Sequence, residues 1–299
     1  MQKVSNLLFI CILFAGTLFT LYAQSEDENL TAKHFAIVEA DGYAYLAEDK
    51  TIRQMREEAL ANAKRDALEK GQTFIQSFTK IENFQLSYDL IQSQSEGFVK
   101  ILESKDHGIT SDNRYHYWIK AEIEYRLKMP DVKNAPELQS NPAAPLNVVL
   151  WTDKAVYQAG ECINIFLKSN KDFYARVIYV NAQGDIVQLL PNQLRKDNFL
   201  KGGQVVTIPD AVDGFKIKVG PPFGREKIIV YASSAPQGEI ASAPFGKSLI
   251  KLKSDLPTVG TAVRSVKSSE AIIDTPNGSE FFEATVGIET MKNPNEKRE

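Results

Sequence analysis

Cysteine and histidine are scarce in this sequence, which restricts both its covalent stabilisation and its chemistry. The 299 residues include two cysteines, Cys11 and Cys162, and three histidines, His34, His107 and His116. If the N-terminal segment is removed on export, the single remaining cysteine cannot form an internal disulfide. The chain must then be held together by ordinary hydrophobic cores, which its length permits.

The sequence also lacks the short motifs of familiar hydrolases and redox proteins. It contains no G-x-S-x-G, H-E-x-x-H or C-x-x-C segment. A thiol nucleophile requires a nearby histidine, but the three histidines lie in the other half of the chain from Cys162. Cys162 falls in the strand-like segment ECINIFLKS, so we expect a buried small apolar side chain. We therefore assign no catalytic, cofactor-binding or metal-binding residues and expect no cofactor.

A large excess of charge of one sign is absent as well. The formal net charge is -3 and the isoelectric point is about 5.8, which gives no electrostatic reason to expect nucleic acid as a partner. Hydrophobic residues make up 43% of the chain and charged residues 24%, the composition of a globular protein. The length suits two ordinary domains.

Residues 1–23 have the organisation of an export signal. Lys3 supplies the positive start, and residues 7–23 form an apolar run. Leu-Tyr-Ala before Gln24 is a candidate cleavage site, in which Leu21 at the -3 position is larger than the small residue preferred there. This pattern predicts export, with the periplasm as the destination. The alternative is that residues 7–23 remain as a membrane anchor, because the run is just under the usual spanning length.

The segment that follows Thr51 carries the clearest helix pattern. Thr51 and Gln54 have the spacing of a capping box, and an apolar stripe follows at steps of three or four residues. The stripe is mostly alanine, so it predicts a helix packed close against a sheet rather than a ligand groove. Gly71 is one candidate for the end of the helix. The alternative is that the apolar face continues past the glycine through Phe74, Ile75 and Phe78.

Three segments around this helix have strand patterns, namely residues 35–47, 98–104 and 113–127. We expect the first strand to be broken at Asp41-Gly42 by a bulge or a tight turn. In the third, apolar and polar residues alternate strictly, which is typical of an antiparallel strand with one solvent-facing side. Residues 34–128 are therefore predicted to form an α+β domain with one long helix on an antiparallel sheet.

The pattern changes after a proline-rich linker at residues 129–146. Residues 147–292 contain short strand candidates spaced about ten residues apart, with glycine and proline at the breaks, which predicts a mostly-β, sandwich-like domain. Within residues 235–280, the segments SLIKLKSDLP and TAVRSVK are candidates for one or two short helices. A strand at residues 281–291 is expected to close the sheet, and residues 293–299 form a polar tail.

The segment YVNAQGDIVQLLPN, residues 179–192, can be interpreted as a sheet corner or as a reactive loop. Asn181 and Gly184 occupy the first and fourth positions that a type I turn prefers, and Gly184 can adopt the left-handed conformation of a hairpin bulge. The corner is favoured. Residues 220–227, GPPFGREK, lack the pattern of a phosphate-binding loop and are predicted to be a turn between strands.

Histidine and acidic side chains offer few convergent sites. His107 and His116 could meet across the hairpin of residues 98–127, with Asp106 or Asp112 nearby, but a metal needs three or four convergent ligands. A solvated imidazole is the expected role of His116. The remaining candidates are the carboxylate neighbours Glu39 and Asp41, and Glu122 and Glu124, which we expect to be solvated, and the glycosylation patterns at Asn29 and Asn277.

The C-terminal half resembles a bacterial family of domains of unknown function. The resemblance is carried by Tyr157-x-x-Gly160, the strand at 173–180 with its Gly184 turn, Leu190-Pro191-Asn192, Gly203 ahead of Ile208-Pro209, and Pro222-Phe223-Gly224-x-Glu226. It covers about residues 147–232. The family occurs in exported and membrane-anchored proteins, in some of which it is fused to caspase-like peptidases or Ser/Thr kinases. It supplies no catalytic residues to transfer.

The N-terminal half is similar to the N-terminal domain of flagellar assembly T proteins and related exported lipoproteins. Glu39-Ala-Asp-Gly42 before the alanine-rich helix carries the similarity, with Asp89 and Gly97 ahead of the strand pair. Both resemblances imply an envelope protein with interaction domains. We therefore expect an exported, non-enzymatic protein that binds other envelope proteins. The alternatives are a secreted hydrolase with an unrecognised site and a small-ligand sensor that uses the aromatic face of residues 113–127.

Overall fold

The computed structural model describes residues 30–81, 84–128, 140–211, 213–246, 249–265 and 278–293. The predicted signal peptide, Asn29 and Asn277 lie outside these residues, as do most of the predicted linker and tail. Within the described residues, one long helix lies on a sheet in the N-terminal half and the C-terminal half is mostly strands. The predicted fold class is confirmed.

The N-terminal half contains one helix and six strands among its described residues. They are β1 (Leu30–Tyr45), α1 (Ile52–Thr79), β2 (Lys80–Ile81), β3 (Phe84–Gln85), β4 (Ser87–Leu90), β5 (Lys100–Ile109) and β6 (Arg114–Lys128). The antiparallel partners of β6 are β1, β4 and β5.

The expected break at Asp41-Gly42 was wrong, because β1 runs without interruption through Tyr45. Gly42 serves the packing of α1 instead. A Cβ atom at Gly42 would lie 1.9 Å from the carbonyl oxygen of Ala59 and 2.3 Å from the amide nitrogen of Ala63. The glycine therefore lets the backbone of α1 approach the backbone of β1 directly.

Helix α1 begins as its capping box predicted and ends later than Gly71. The Thr51 hydroxyl accepts a hydrogen bond from the backbone of Gln54, while the Gln54 side chain accepts one from the backbone of Thr51. A Cβ at Gly71 would meet Ile123 Cδ1 at 2.1 Å, so this glycine also allows close contact with the sheet. The second alternative, in which the apolar face continues, is confirmed. The residues buried along α1 are Met55, Ala59, Ala63, Ala67, Gly71, Ile75 and Thr79.

The C-terminal half contains thirteen strands and one short helix among its described residues. They are β7 (Val148–Thr152), β8 (Val156–Gln158), β9 (Cys162–Ile163), β10 (Ile165–Ser169), β11 (Phe173–Val180), β12 (Ile186–Leu190), β13 (Phe199–Leu200), β14 (Val205–Ile208), β15 (Ile217–Lys218), β16 (Gly224–Ser233), β17 (Ser242–Phe245), β18 (Leu249–Leu252), α2 (Leu256–Arg264) and β19 (Ser279–Met291).

One sheet runs through both halves. Its strand order is β17-β18-β12-β11-β16-β19-β1-β6-β4, with β13 beside β11, β5 beside β6 and β8 beside β19. The junction is β1, which pairs with β19 from Leu30 to Ile37 and with β6 from His34 to Tyr45. The strand at the end of the sequence thus closes the sheet against the first described strand. This sheet joins the two predicted domains.

Different elements cover the two faces of this sheet. On one face, α1 packs against alternate residues of β1 and β6, and the three-stranded sheet β14-β10-β7 packs against β11, β12, β16 and β19. On the other face, α2 packs against Phe35, Ile229 and Phe281 through Val259 and Val263. Because successive residues of a strand point to opposite faces, β1 and β19 contribute to both cores.

The region between β16 and β19 holds one helix and two strands among its described residues. The segment TAVRSVK was correctly predicted as helical in part, since α2 ends at Arg264. The helical prediction for SLIKL was wrong, because Leu249–Leu252 forms β18 and pairs with β12 and β17. Asp255 caps α2 by accepting a hydrogen bond from the backbone of Thr258. Pro257, near the start of α2, fixes a helical backbone angle there.

Candidate functional site

A cleft of about 490 Å³ opens on the α2 face of the sheet. We call it the α2 cleft. Its floor is formed by β6, β1, β19 and β16, which are adjacent in the sheet. One wall is α2, and the other is the segment from Ile91 to Lys100. Both halves of the chain therefore contribute to it, and a volume of this size is within the range of ligand-binding sites.

Arg264 is the central charged group of the cleft. Its Nε donates to Glu122 Oε2 on β6, and its Nη1 donates to Glu283 Oε2 on β19 at 3.2 Å. The guanidinium carbon also lies 4.6 Å from the ring centroid of Phe35 and 5.6 Å from that of Phe281. Arg264 thus fixes α2 to two strands of the floor.

Burial raises the pKa of Glu122 above its ordinary value, whereas the charge of Arg264 beside it acts in the opposite direction. The side chains of Glu122 and Arg264 are both almost fully buried. Burial also raises the pKa of the Tyr231 phenol. A buried ion pair of this kind costs desolvation free energy, and loss of either partner would leave an uncompensated buried charge. It anchors α2 to β6 at the wall of the cleft.

The rest of the lining combines lysines with apolar side chains. Lys33, Lys100 and Lys227 line the cleft, and the Lys100 ammonium donates to the hydroxyl of Thr261 on α2 at 3.3 Å. Phe98 stands at the wall with 39% of its surface exposed. The remaining lining is Phe35, Ile91, Ser93, Gly97, Glu122, Glu124, Ile229, Tyr231, Leu256, Pro257, Gly260, Arg264, Glu283 and Thr285.

Sequence reasoning missed this cleft because its residues come from six separate elements. A signal for its central residue was nevertheless present. In TAVRSVK, Arg264 follows Val263, and Val259, Gly260 and Val263 are all buried in α2. An arginine on the buried side of a short helix requires a buried partner, which the sequence alone does not identify.

His107 and His116 do meet, as the sequence allowed. Their rings stack with centroids 4.4 Å apart and planes 9° apart, and Tyr43 stacks on the other side of His116 at 4.6 Å. Arg114 lies over Tyr43 at 4.3 Å. These four planar groups form a column across β5, β6 and β1. His116 Nε2 lies 2.7 Å from Asp41 Oδ1.

The two expected carboxylates do not join the histidines. Asp106 accepts a hydrogen bond from the Tyr115 hydroxyl at 2.9 Å and pairs with Arg56. Asp112 pairs with Arg114, whose hydrogen bond lowers the pKa of Asp112 to about 2. Parallel stacked imidazoles do not direct their nitrogen lone pairs at one point. Across the described ranges, no group of three or more His, Cys, Asp or Glu side chains is placed to hold a metal ion.

The other acidic candidates, on β1 and β6, have separate partners. Glu39 lies 3.7 Å from the buried ammonium of Lys120, and Asp41 is the partner of His116. Glu122 is the partner of Arg264, and Glu124 lines the cleft. The solvated role expected for Glu122 was therefore wrong, because α2 covers this part of the sheet face.

The tyrosines of residues 113–127 do not offer a surface to a ligand. Tyr115, Tyr117 and Tyr125 are buried beneath α1 in the core of the N-terminal half. The expectation for Cys162 was also wrong, since its side chain is exposed. Its neighbour Ile163 points into the core instead, because successive strand residues face opposite sides.

The Asn181 turn is confirmed as a structural corner. The Gly184 amide donates to the Asn181 carbonyl at 2.9 Å, and the Asn181 side chain accepts hydrogen bonds from the backbones of Gln183 and Asp185. Gly184 has φ = +86°, which is the left-handed conformation that glycine adopts readily. The turn joins β11 to β12, and every one of these contacts is local.

The motif residues of the C-terminal half likewise have structural roles. The buried Tyr157 donates its hydroxyl hydrogen to Asp153 at 2.7 Å, and Gly160 has φ = +87°. The Asn192 side chain accepts from the backbones of Leu194 and Arg195. These contacts organise turns between strands and hold no exposed reactive group.

In the part of the chain that the structure describes, no helix combines the length and the apolar character needed to cross a membrane. The predicted alternative anchor at residues 7–23 lies outside the described residues.

Comparison with known families finds a match in the C-terminal half. The family model described as Domain of unknown function (DUF4384) matches residues 156–236, which places a domain of unknown function in the C-terminal half. The matched segment includes β16 of the cleft floor, whereas Arg264 and α2 lie beyond it. A search of curated proteins found no match, and a search of solved structures found none.

Proposed function

We propose that the protein is an exported, non-enzymatic binding protein of the cell envelope that engages an envelope protein through the α2 cleft. The observation that carries the proposal is the cleft itself. It is bounded by both halves of the chain, and its floor is a sheet shared between them. The proposal that the protein is exported rests on the signal-peptide pattern of residues 1–23.

The charged groups of the cleft support binding rather than catalysis. Arg264, Glu122 and Glu283 are engaged with one another, so they act as structural ties. The hydrolase alternative requires a histidine or carboxylate pair that converges in one pocket, and His107 and His116 are its histidine candidates. Among the described residues, neither ring is hydrogen-bonded to a hydroxyl or thiol that could act as a nucleophile.

Site-specific photo-crosslinking in intact cells tests this proposal. The full-length chain carries a photoreactive phenylalanine derivative in place of Phe98, at the cleft wall. The matched control carries it in place of Phe199, which is equally exposed at 39% but does not line the cleft. We expect one reproducible conjugate with an envelope protein from position 98 and its absence from position 199.

Two results would contradict the proposal. One is the absence of any conjugate from position 98 although the chain is folded and exported. The other is an identical set of conjugates from both positions, which would indicate random collisions. Identification of the conjugate by mass spectrometry must also place the crosslinked peptide at residue 98.

A further inference from the structure

We infer that the α2 cleft recognises an acidic, extended segment of its partner protein, held by Lys33 and Lys227. The inference rests on the proposed function and adds the chemistry of the partner. Both lysines line the cleft. They lie on β1 and β16, the two neighbours of β19 in the sheet.

The strand register places these lysines on the two sides of a shallow strip of floor. Lys33 is opposite Glu283 on β19, and Lys227 is opposite Gly287. Thr285 and its partner Ile229 lie between these two rows. The lysine backbones are two strands apart, about 10 Å across the sheet, and are offset by four residues along β19, about 13 Å, so they lie roughly 17 Å apart. Each lysine can therefore reach a different carboxylate of one extended segment that crosses the floor between them.

The carboxylates of the cleft are paired with other groups or lie apart from these lysines. Glu283, which is opposite Lys33, is bound to Arg264, as is Glu122. In the described part of the chain, neither Lys33 nor Lys227 forms an ion pair. Glu124 lies on β6, at the other side of β1 from β19. The lining as a whole carries four cationic side chains, Lys33, Lys100, Lys227 and Arg264, against three carboxylates. The acidic residues of a partner are therefore favoured near the exposed Lys33 and Lys227.

The walls fit the other side chains of an extended segment. Phe98 and Ile91 lie on one wall and Leu256 on the other. In an extended chain, alternate side chains point to opposite sides, so acidic residues can face the lysines while apolar residues face the walls. Apolar contact supplies affinity and the charges supply selectivity.

Fluorescence anisotropy with defined peptides tests the inference on the chain that lacks residues 1–23. The probe is a dye-labelled peptide of alternating Phe and Glu, and its controls replace Glu by Gln or by Lys. The cleft variant is Lys33→Gln with Lys227→Gln. The matched control is Lys168→Gln with Lys196→Gln, which removes the same charge at two exposed positions outside the cleft. Melting temperatures confirm that each variant is folded.

We expect the Phe-Glu peptide to bind at least tenfold more tightly than either control peptide. The cleft variant should weaken its binding at least tenfold and the control variant less than twofold. No binding of the Phe-Glu peptide, equal binding of all three peptides, or equal losses in both variants would overturn the inference. An unchanged affinity of the cleft variant for the Phe-Glu peptide would overturn it too.

Two further experiments complete the test. The first distinguishes an acidic protein segment from an anionic membrane surface, and the second distinguishes failure of this inference from failure of the proposed function. Binding to vesicles of phosphatidylcholine with phosphatidylglycerol, without binding of the Phe-Glu peptide, would assign the lysines to a membrane surface and overturn the inference. In cells, a crosslink from position 98 that survives Lys33→Gln with Lys227→Gln would reject the acidic segment while leaving the proposed function intact. The absence of that crosslink in the unaltered chain would reject the proposed function itself.

Discussion

The two helices in the described part of the chain cover opposite faces of one sheet in very different ways. Helix α1 spans Ile52–Thr79 and lies directly on its strands through alanines and glycines. Helix α2 spans Leu256–Arg264 and holds its face through two valines and a buried arginine. The backbone of α1 touches its strands directly, whereas the α2 face retains a cleft.

The difference shows how side-chain size decides whether a covered sheet face can also hold a site. Ala59, Ala63 and Ala67 are fully buried, and their small side chains bring the backbones of helix and sheet together. On the other face, α2 has only nine residues, about 13 Å of helix, and leaves part of the four-stranded floor uncovered. Charged side chains such as Lys33 and Glu124 therefore remain at the surface of the cleft.

The largest effect is expected where α1 and β1 are closest. Gly42→Val would insert a branched side chain where a single Cβ already lies 1.9 Å from Ala59 O. Because the obstacle is backbone rather than a flexible side chain, the free energy of unfolding should fall by more than about 5 kcal/mol. Denaturant unfolding monitored by circular dichroism measures the change.

The same substitution at another glycine is the matched control. Gly184→Val meets no atom within 4 Å, so its cost is the strain of a positive φ angle, about 1–2 kcal/mol. A loss at Gly42 no larger than the loss at Gly184 would show that α1 can move away from the sheet. The contrast between the two faces would then not depend on close packing.

On the α2 face, Arg264→Met should lower the free energy of unfolding by about 4 kcal/mol, because it leaves the buried Glu122 and the partly buried Glu283 without their cation. The methionine retains apolar contact with Phe35 and Phe281. Urea titrations of the variant and the unaltered chain measure the loss.

A double-mutant cycle with Glu122→Gln sharpens this prediction. Once Glu122 is neutral, Arg264→Met should cost less than it does in the unaltered chain. Additive losses in the two single variants would mean that the buried pair does not hold α2 to β6.

A smaller effect should depend on pH and involve His34, on the face that α1 covers. Burial lowers the pKa of His34 to about 4 from its ordinary 6.5, and its Nε2 has no hydrogen-bond partner among the described residues. Between pH 6.5 and 4 the unfolded chain binds a proton that the folded chain does not. Stability is therefore full above pH 6.5 and falls as the pH drops, by about 3 kcal/mol at pH 4.

Comparison with His34→Phe isolates this contribution from the acidic groups that titrate in the same range. The phenylalanine keeps ring contact with Phe282 and Tyr125, the neighbours of His34. The fall in stability between pH 7 and pH 4 should be about 3 kcal/mol smaller in this variant. The substitution Phe199→Leu, at an exposed ring that does not titrate, should leave that fall unchanged, and an equal effect of both substitutions would contradict the prediction.

Short sequence patterns correctly predicted the structural features that depend on residues close together in the chain. The capping box at Thr51, the alternation in residues 113–127 and the turn at Asn181 each depend on neighbours in sequence. Where a residue served a distant partner, the local interpretation failed. Asp41-Gly42 was predicted to break a strand, but Gly42 accommodates α1. Cys162 was predicted to be buried, although its position in the alternation faces outward.

The candidate site was beyond prediction for the same reason. Its residues lie between Lys33 and Thr285, and no short segment contains more than a few of them. The contact between His107 and His116 could be predicted, since a hairpin brings residues that are close in sequence together. The contact of His116 with Asp41 could not be predicted, because Asp41 comes from the neighbouring strand β1.

The sequence by itself determined the kinds of element, their approximate positions and the alanine stripe that allows α1 to lie close to a sheet. Those properties follow from capping, periodicity and side-chain size, which act over a few residues. The tertiary structure alone decided that β19 returns to pair with β1, and that Arg264 meets Glu122 across 142 positions of the chain. Pairing at that separation depends on the free energy of the whole sheet, and the cleft exists because that sheet is shared.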